Sequence, residues 1–239
     1  MTPKSLRLLD YSVWAPESPP MSPLPAPHNV CLSGDSIPKL SFLPLMQRRR
    51  LSPLGRVVMA SLYPLYERNR KVISAGRGAC VFSSRWGDIA VTVKSLEQLT
   101  GEKSVSPTAF STSVHNAIGG LFSLFEHFHG NITSLSGGRA GISAALFEAR
   151  GLIQEHDFVL MSIYEDETPD VFKAWQQSSR RPYAITLLFS NSEGVPIEVA
   201  PLSGVHNCAS ENPVPDFLRF ISAQKNSFSE TDGLLWIRK

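Results

Sequence analysis

The chain has 239 residues, of which 42% are hydrophobic, and a formal net charge of +2. It can bury a substantial core, and one domain over residues 1–239 is the simplest interpretation. The acidic and basic residues are interspersed, so the charge gives no footprint of nucleic-acid or membrane-surface binding. The only basic cluster is Arg48, Arg49 and Arg50. It is either a solvated turn or a docking patch for an acidic partner.

The three cysteines, Cys31, Cys80 and Cys208, are widely spaced and form no CxxC pair. This pattern argues against a disulfide framework and a zinc site, and it fits a reducing compartment. No stretch approaches the roughly 18 apolar residues of a membrane span, and the N-terminus lacks the apolar region of a secretory signal. We therefore expect a soluble cytoplasmic protein with no metal, no cofactor and no membrane span.

The N-terminal part begins with a predicted strand at Ser5–Val13 and continues into a proline-rich loop or arm at residues 16–38. A helix is predicted over Arg50–Arg68, and Pro64 should end or kink it. Five apolar residues share one face of this helix: Leu54, Val57, Val58, Leu62 and Leu65.

Two strand and helix units follow. Ala79–Ser83 predicts a short strand, after which a turn at Trp86 and Gly87 leads into a helix over Ile89–Leu99. That helix should point Ile89, Val93 and Leu96 inward. The segment Val114–Phe128 has a helical stripe that consists of Val114, Ile118, Leu121, Phe122 and Phe125.

The second half alternates in the same way. After the apolar run Ile132–Leu135, the turn Ser136-Gly137-Gly138 opens a helix whose inward residues are Ile142, Leu146, Ala149 and Ile153. Phe158–Tyr164 is continuously apolar, as in a strand buried on both faces. Tyr183–Phe189 and Pro196–Leu202 are predicted to form a hairpin that turns at residues 191–194.

Residues 203–239 form a C-terminal extension with a short helix near Phe217 and an aromatic, strand-like end. Alternating strands and helices predict an α/β fold with a mainly parallel central sheet covered by helices.

Two segments carry a family resemblance. Residues 39–59 contain a Pro-x-Met-x-Arg-Arg run before a helix, and residues 106–130 place Ser106-Pro107 and a Ser/Thr cluster before Asn116, Gly120 and Gly130. Both resemble β-ketoacyl synthases, and the chain is similar to the chain-length-factor subunits of bacterial polyketide and aryl polyene clusters. The resemblance covers about residues 5–200 and implies a thiolase-like half fold.

The resemblance also implies that catalytic groups are missing. Active ketosynthases place a nucleophilic cysteine at the start of a buried helix, where the helix dipole and backbone N–H groups stabilise negative charge. The matching position here falls on Arg139, or on Gly138 if the register shifts by one residue. The second half of the family's fold supplies two further histidines, and no matching segment occurs in this chain. We therefore expect no catalytic residue and no decarboxylative condensation by this chain alone.

Chain-length factors pair with a catalytic ketosynthase and close the end of its acyl tunnel. The resemblance assigns that wall and interface to nine residues, with Thr92 and Phe110 as the strongest candidates. The set is Ile89, Thr92, Val93, Leu96, Thr108, Ala109, Phe110, His115 and Asn116. The expected partners are a catalytic β-ketoacyl synthase in a heterodimer and, indirectly, an acyl carrier protein, in biosynthesis of the fatty acid or polyketide type. Each wall residue is alternatively ordinary interface core, and His115 is alternatively a satisfied core or cap histidine.

Two other functions stay open. Ser136 follows a strand and precedes a helix, as in a nucleophile elbow, so the chain is alternatively an acyltransferase or hydrolase with His156 or His206 as its base. The Gly-x-Ser-x-Gly frame is absent, since Leu135-Ser136-Gly137 stands there. The third alternative is a homodimeric scaffold or a carrier-protein binder with no effect on chain length.

Overall fold

The structure is a computed structural model and describes residues 4–15, 37–175, 182–201, 212–230 and 233–239. Most of the proline-rich segment, Cys31, His206 and Cys208 lie outside these residues. The helices and strands follow in the order β1 (Leu6–Trp14), α1 (Leu45–Arg50), α2 (Pro53–Arg68), α3 (Arg70–Ala75), β2 (Gly78–Ser83), α4 (Ile89–Glu102), α5 (Pro107–Ser113), α6 (Ala117–Glu126), β3 (Asn131–Leu135), α7 (Gly141–Leu152), β4 (Phe158–Glu165), β5 (Tyr183–Ser190), β6 (Val195–Pro201), α8 (Val214–Ile221), β7 (Ser227–Phe228) and β8 (Leu234–Arg238).

One sheet of eight described strands organises the molecule, in the order β3-β2-β4-β5-β1-β6-β8-β7. Helices α2 and α6 cover one face, and α7 and α8 cover the other. The strands alternate between these two cores, so that Val81 faces α7 while Cys80 and Phe82 face α2 and α6. All eight residues of β4 are buried, which confirms a central strand covered on both faces.

The prediction of a mainly parallel sheet is wrong. Of the seven strand pairings among the described residues, β2 with β3 and β2 with β4 are parallel, and the other five are antiparallel. An apolar strand is buried on both faces wherever helices cover both faces, whichever way its neighbours run. Burial therefore did not specify strand direction.

The predicted hairpin is also wrong, because β1 lies between β5 and β6. Arg7 pairs with Ser190 of β5 on one side and with Pro196 of β6 on the other. The link between β5 and β6 crosses β1 near Leu8 at Gly194, which has a φ of +100°. A Cβ there would lie 2.4 Å from the Leu8 carbonyl oxygen, so both the turn and the close approach require glycine.

The predicted face of α2 is confirmed, since its five apolar residues are all buried. Pro64 lies inside this helix and does not end it. The residues on either side of Pro64, Tyr63 and Leu65, are buried against the core. Tertiary packing therefore maintains the helix despite the missing backbone donor. Below it, the Thr186 hydroxyl lies 2.6 Å from the Ser61 hydroxyl and 3.0 Å from that of Ser162, which joins α2, β5 and β4.

Two predictions about the helices after β2 need correction. The helix expected over Val114–Phe128 is shorter, because Val114 has an extended ψ of 146° and α6 runs only from Ala117 to Glu126, before His127, whose φ is +51°. Val114 is consequently exposed, whereas Ile118, Phe122 and Phe125 are buried as predicted. In α4, Leu96 points outward and is 54% exposed, while the neighbouring Ser95 is buried.

Candidate functional site

The turn at residues 84–88 lies at the carboxyl end of β2, and neighbouring strands hold it. The Glu165 carboxylate, at the end of β4, accepts hydrogen bonds from the Ser84 hydroxyl at 3.2 Å and from the Arg85 backbone N–H at 2.5 Å. The Ser136 hydroxyl, just after β3, donates to the Arg85 carbonyl at 2.8 Å. Because β2, β3 and β4 are parallel here, their carboxyl ends meet at one edge.

The same turn is held from the helical side by His115. Its Nε2 lies 3.0 Å from the Ser84 carbonyl oxygen. A Cβ on Gly87, which has a φ of +60°, would approach the His115 ring to 3.0 Å. The candidate interface histidine therefore supports a turn within its own chain, and its Nδ1 is buried without a hydrogen-bond partner among the described residues.

An aromatic pair joins the outer side of this turn to the segment after β4. Trp86 stacks on Phe172 with ring centroids 6.2 Å apart, and the Arg85 guanidinium lies 4.9 Å from the Trp86 centroid. These contacts cover part of the Trp86 ring, so the pair fixes two loops relative to each other.

Two partly or fully buried acidic residues, Asp88 and Asp166, lie in or close to the turn at residues 84–88. Burial raises the pKa of Asp88, and a hydrogen bond from Ser52 offsets part of that increase. Burial also raises the pKa of Asp166, and the nearby Asp88 adds to this effect. No group of three or more His, Cys, Asp or Glu side chains among residues that the structure describes is arranged to hold a metal ion.

The start of α7 is the position that the family resemblance assigns to the nucleophile. Gly138 has a φ of +59°, and Arg139 is exposed to solvent. A Cβ on Gly137 would lie 2.7 Å from the Ala144 Cβ, so this turn approaches α7 closely. Neither Gly138 nor Arg139 carries a side chain that can form a thioester.

The backbone N–H groups of Ile142 and Ser143, here called the α7 amide cradle, already bind an anionic side chain. The Ile142 N–H donates to Glu230 Oε1 at 3.2 Å, and the Ser143 N–H donates to Oε2 at 2.7 Å. Sequence reasoning missed Glu230, because it precedes β8 and lies nearly 90 residues from the amides that it binds. No local sequence pattern relates residues at such a separation.

Among the described residues, the structure brings no base to Ser136. Its hydroxyl donates to the Arg85 carbonyl. His156 lies beyond the carboxyl end of α7 and contacts the Leu152 carbonyl through Nδ1 at 2.9 Å. His206 lies outside the described residues. Cys80 is fully buried in β2, and burial raises the pKa of its thiol, which keeps it in the unreactive form.

A groove of about 700 Å³ runs between the start of α2 and helices α4, α5 and α6. Its lining includes three of the predicted wall residues, Thr108, Ala109 and Asn116. Arg49, Arg50 and Lys94 also line it, and no acidic residue among the described ones does. The groove is therefore both apolar and electropositive.

The other predicted wall residues lie outside this groove lining. Ile89 is buried, Val93 is half-buried, and the half-buried Thr92 donates its hydroxyl to the Asp88 carbonyl at 3.3 Å. Leu96 and Phe110 are exposed on the surface. The structure thus divides the predicted set into groove residues, supporting residues and surface residues.

Helices α4 to α6 present an open apolar surface, here called the α4–α6 face. None of the residues of α5 is buried, and Phe110 is 66% exposed. Large apolar residues elsewhere on this face are also exposed: Leu96, Leu99, Val114 and Leu124. Exposed apolar groups on consecutive helices make these helices a candidate interaction surface.

Comparison with known proteins gives a family and several similar structures. The chain matches a family model described as the β-ketoacyl synthase N-terminal domain over residues 24–231. Among curated proteins, none matches significantly. In the part of the chain that the structure describes, no helix is both long and apolar enough to span a bilayer.

One similar chain belongs to the structure of the ketosynthase ApeO in complex with its chain length factor ApeC, from Xenorhabdus doucetiae. The TM-score is 0.71 at 25% identity, over 97% of this chain and 98% of that one. A β-ketoacyl synthase from Burkholderia phymatum gives a TM-score of 0.55 at 16% identity, over 80% of this chain and 58% of that one. A type II polyketide synthase acyl-carrier protein in complex with its ketosynthase gives 0.51 at 16% identity, over 70% and 58%. The last two indicate a shared fold alone.

Proposed function

Because the chain belongs to the β-ketoacyl synthase N-terminal domain family, we propose that it is a non-catalytic subunit that pairs with a catalytic ketosynthase and shapes its acyl tunnel. Its fold is the thiolase-like α/β fold of ketosynthases. The observation that carries the proposal is the open α4–α6 face.

The α4–α6 face needs a partner for a physical reason. Helix α5 contributes no buried residue to the core of its own chain, yet it carries a phenylalanine that is mostly exposed. Burying a phenylalanine removes on the order of 150–250 Å² of largely apolar surface from water. A second subunit that covers Phe110, Leu96 and Leu124 would remove their apolar surface from water, and this burial would stabilise the complex.

The occupant of this face is a ketosynthase. The Xenorhabdus structure contains a ketosynthase together with its chain length factor, and the similar chain aligns with this one over nearly the full length of both. That pairing, and a product of the fatty acid, polyketide or aryl polyene type, are carried over here as parts of the proposal. An acyl carrier protein would meet the pair indirectly, through the catalytic subunit.

The start of α7 supports a non-catalytic role. An acyl transfer by covalent catalysis requires a nucleophile, and the family's position falls on Gly138 or Arg139. The adjacent amide cradle binds Glu230. The partner must therefore supply the nucleophile.

The groove residues are the best candidates for the tunnel wall. Thr108, Ala109 and Asn116 line a space that could hold an acyl chain, whereas Phe110 and Leu96 are placed for pairing. Ala109→Phe should fill part of the groove and shorten the product. Ala109→Gly is the control that enlarges the same position.

The proposal is tested by co-expressing the tagged chain with the ketosynthase encoded beside it and measuring the mass of the complex during size-exclusion chromatography. A stable one-to-one complex is expected, and the chain alone should be less soluble than the complex because its apolar face is uncovered. A well-behaved monomer or homodimer that ignores the ketosynthase would refute the pairing.

A further inference from the structure

We propose that the C-terminal segment is an internal stopper, in which the Glu230 carboxylate occupies the α7 amide cradle and keeps other anions out of it. The segment consists of α8, β7, Glu230 and β8 within the described residues. This inference concerns a contact inside one chain, so it does not depend on the proposed partner.

The N–H groups of the α7 amide cradle need a hydrogen-bond acceptor from outside the helix. The first N–H groups of a helix have no partner within the helix, and the aligned peptide dipoles add partial positive charge there. Ala140 stands at the N-cap position of α7 and has no side chain that can accept a hydrogen bond. Glu230 takes the second and third helical amides, which a serine or aspartate cap would otherwise bind.

The two bonds arrive together from one carboxylate. Each oxygen of Glu230 accepts from a different amide, at 3.2 Å from Ile142 and 2.7 Å from Ser143. Charge-assisted bonds of this kind are stronger than bonds between neutral groups. A second anion, such as a substrate carboxylate or an oxyanion, would have to displace both bonds.

The rest of the C-terminal segment holds Glu230 in place. Trp236 is fully buried and donates its indole N–H to the Ser143 hydroxyl at 3.2 Å. Its ring meets Phe147 of α7 edge-on, with centroids 4.9 Å apart. Strand β8 also pairs with β6, so the sheet itself fixes the end of the segment. Strand β7, which precedes Glu230, pairs with β8, so the stopper is anchored on both sides of the carboxylate.

The consequence is that the site is closed by a second mechanism, separate from the missing nucleophile. Stabilisation of developing negative charge requires free donors aimed at the reacting atom. Here the Ile142 and Ser143 donors at the start of α7 are already satisfied. Restoring a nucleophile at residue 138 or 139 would still leave the amide cradle occupied.

Hydrogen exchange of the Ile142 and Ser143 amides tests the stopper directly, because these amides have no partner inside α7. In Glu230→Ala, both should exchange at least about tenfold faster than in the unmodified chain, as measured by NMR. The melting temperature should fall by roughly 2–5 °C. Glu230→Gln keeps the shape of the side chain and one acceptor oxygen. Its amide exchange rates and melting temperature should therefore lie between those of Glu230→Ala and those of the unmodified chain.

Glu198→Ala is the matched control, since Glu198 makes an exposed ion pair with Lys239 at 2.7 Å. It should leave both amides protected. Acetate at roughly 100 mM, compared with sodium chloride of equal ionic strength, should restore part of the lost melting temperature in Glu230→Ala only. Unchanged amide exchange in Glu230→Ala, or equal stabilisation of the unmodified chain by acetate, would overturn the proposal.

Discussion

Two regions of the molecule differ in whether the chain satisfies its own binding groups. At the start of α7, the backbone donors bind Glu230, and Trp236 covers the adjacent helix. On the α4–α6 face, large apolar side chains are left uncovered. The first region is completed by residues nearly 90 positions away, whereas the second would need another molecule to complete it.

A non-catalytic family member can lose its nucleophile, and it can also lose the free backbone donors beside it. Loss of the nucleophile alone would leave an open site with free donors. Here the corresponding site is occupied, while the surface that the proposal assigns to pairing stays open. The contrast is what an accessory subunit requires, because such a subunit must bind a partner without competing for its substrate.

The largest expected effect comes from removing the anchor of the closed region. Trp236→Ala deletes a fully buried indole and the donor to the Ser143 hydroxyl. The free energy of unfolding should fall by about 3–5 kcal/mol, because a large cavity is left in the core. Denaturant unfolding monitored by circular dichroism measures the loss.

Trp86→Ala is the matched control for this tryptophan. Trp86 is partly exposed and stacks on Phe172, so its removal should cost only about 1 kcal/mol. Equal losses for the two variants would mean that the C-terminal segment is not an integral part of the core.

The next effect concerns the open region and should appear in binding. Phe110→Asp places a charge where the proposed interface needs an apolar group. Affinity for the ketosynthase should fall roughly 30-fold or more, whereas the free energy of unfolding should change by less than about 0.5 kcal/mol. Titration calorimetry and denaturant unfolding give the two values.

Val171→Asp provides the comparison for Phe110, because Val171 is 59% exposed and lies outside the α4–α6 face. It should leave affinity for the ketosynthase unchanged. If both variants bind like the unmodified chain, the exposed apolar face does not form the interface.

The smallest effect is a pH dependence beneath α4. Burial raises the pKa of Asp88 above its value in the unfolded chain, so ionisation at neutral pH disfavours the folded state. Asp88→Asn should therefore raise the free energy of unfolding at pH 7, by less than about 1 kcal/mol, and the gain should vanish below about pH 4. Chemical unfolding across this pH range checks the slope.

Asp157→Asn should change the free energy of unfolding with the opposite pH dependence, so that it destabilises the chain at pH 7 and the loss vanishes at low pH. A hydrogen bond from the Arg77 backbone N–H, 2.9 Å from the carboxylate, lowers the pKa of Asp157. Its favourable contribution is present above the unfolded pKa and is lost as the pH falls through the folded pKa. Two variants with the same pH slope would contradict this account of the two carboxyl groups.

Features within single elements could be predicted from the sequence. The inward faces of α2 and α7 follow from helical spacing, and the buried β4 follows from its continuous apolar run. The family could be recognised because its motifs are local segments. The α4 prediction was wrong at Leu96, because a helix with apolar residues on more than one face does not specify by spacing alone which face is buried.

Features that join distant segments could not be predicted in the same way. The position of β1 between β5 and β6 depends on pairing across nearly 190 residues. The alternation of apolar and polar residues along a strand does not specify which strand it pairs with. The contact of Glu230 with the α7 amide cradle could not be predicted either, since no residue near Glu230 in the sequence indicates which amides it binds. The groove at Thr108, Ala109 and Asn116 became visible only when four helices were placed together.

The most direct test of the central claim is hydrogen–deuterium exchange of the chain with and without the ketosynthase, followed by mass spectrometry of its peptides. Peptides from α4, α5 and α6 should become protected in the complex, while the start of α7 should be equally protected in both samples. Protection that appears at the start of α7, or none over residues 89–126, would contradict a subunit that is closed at α7 and open at the α4–α6 face.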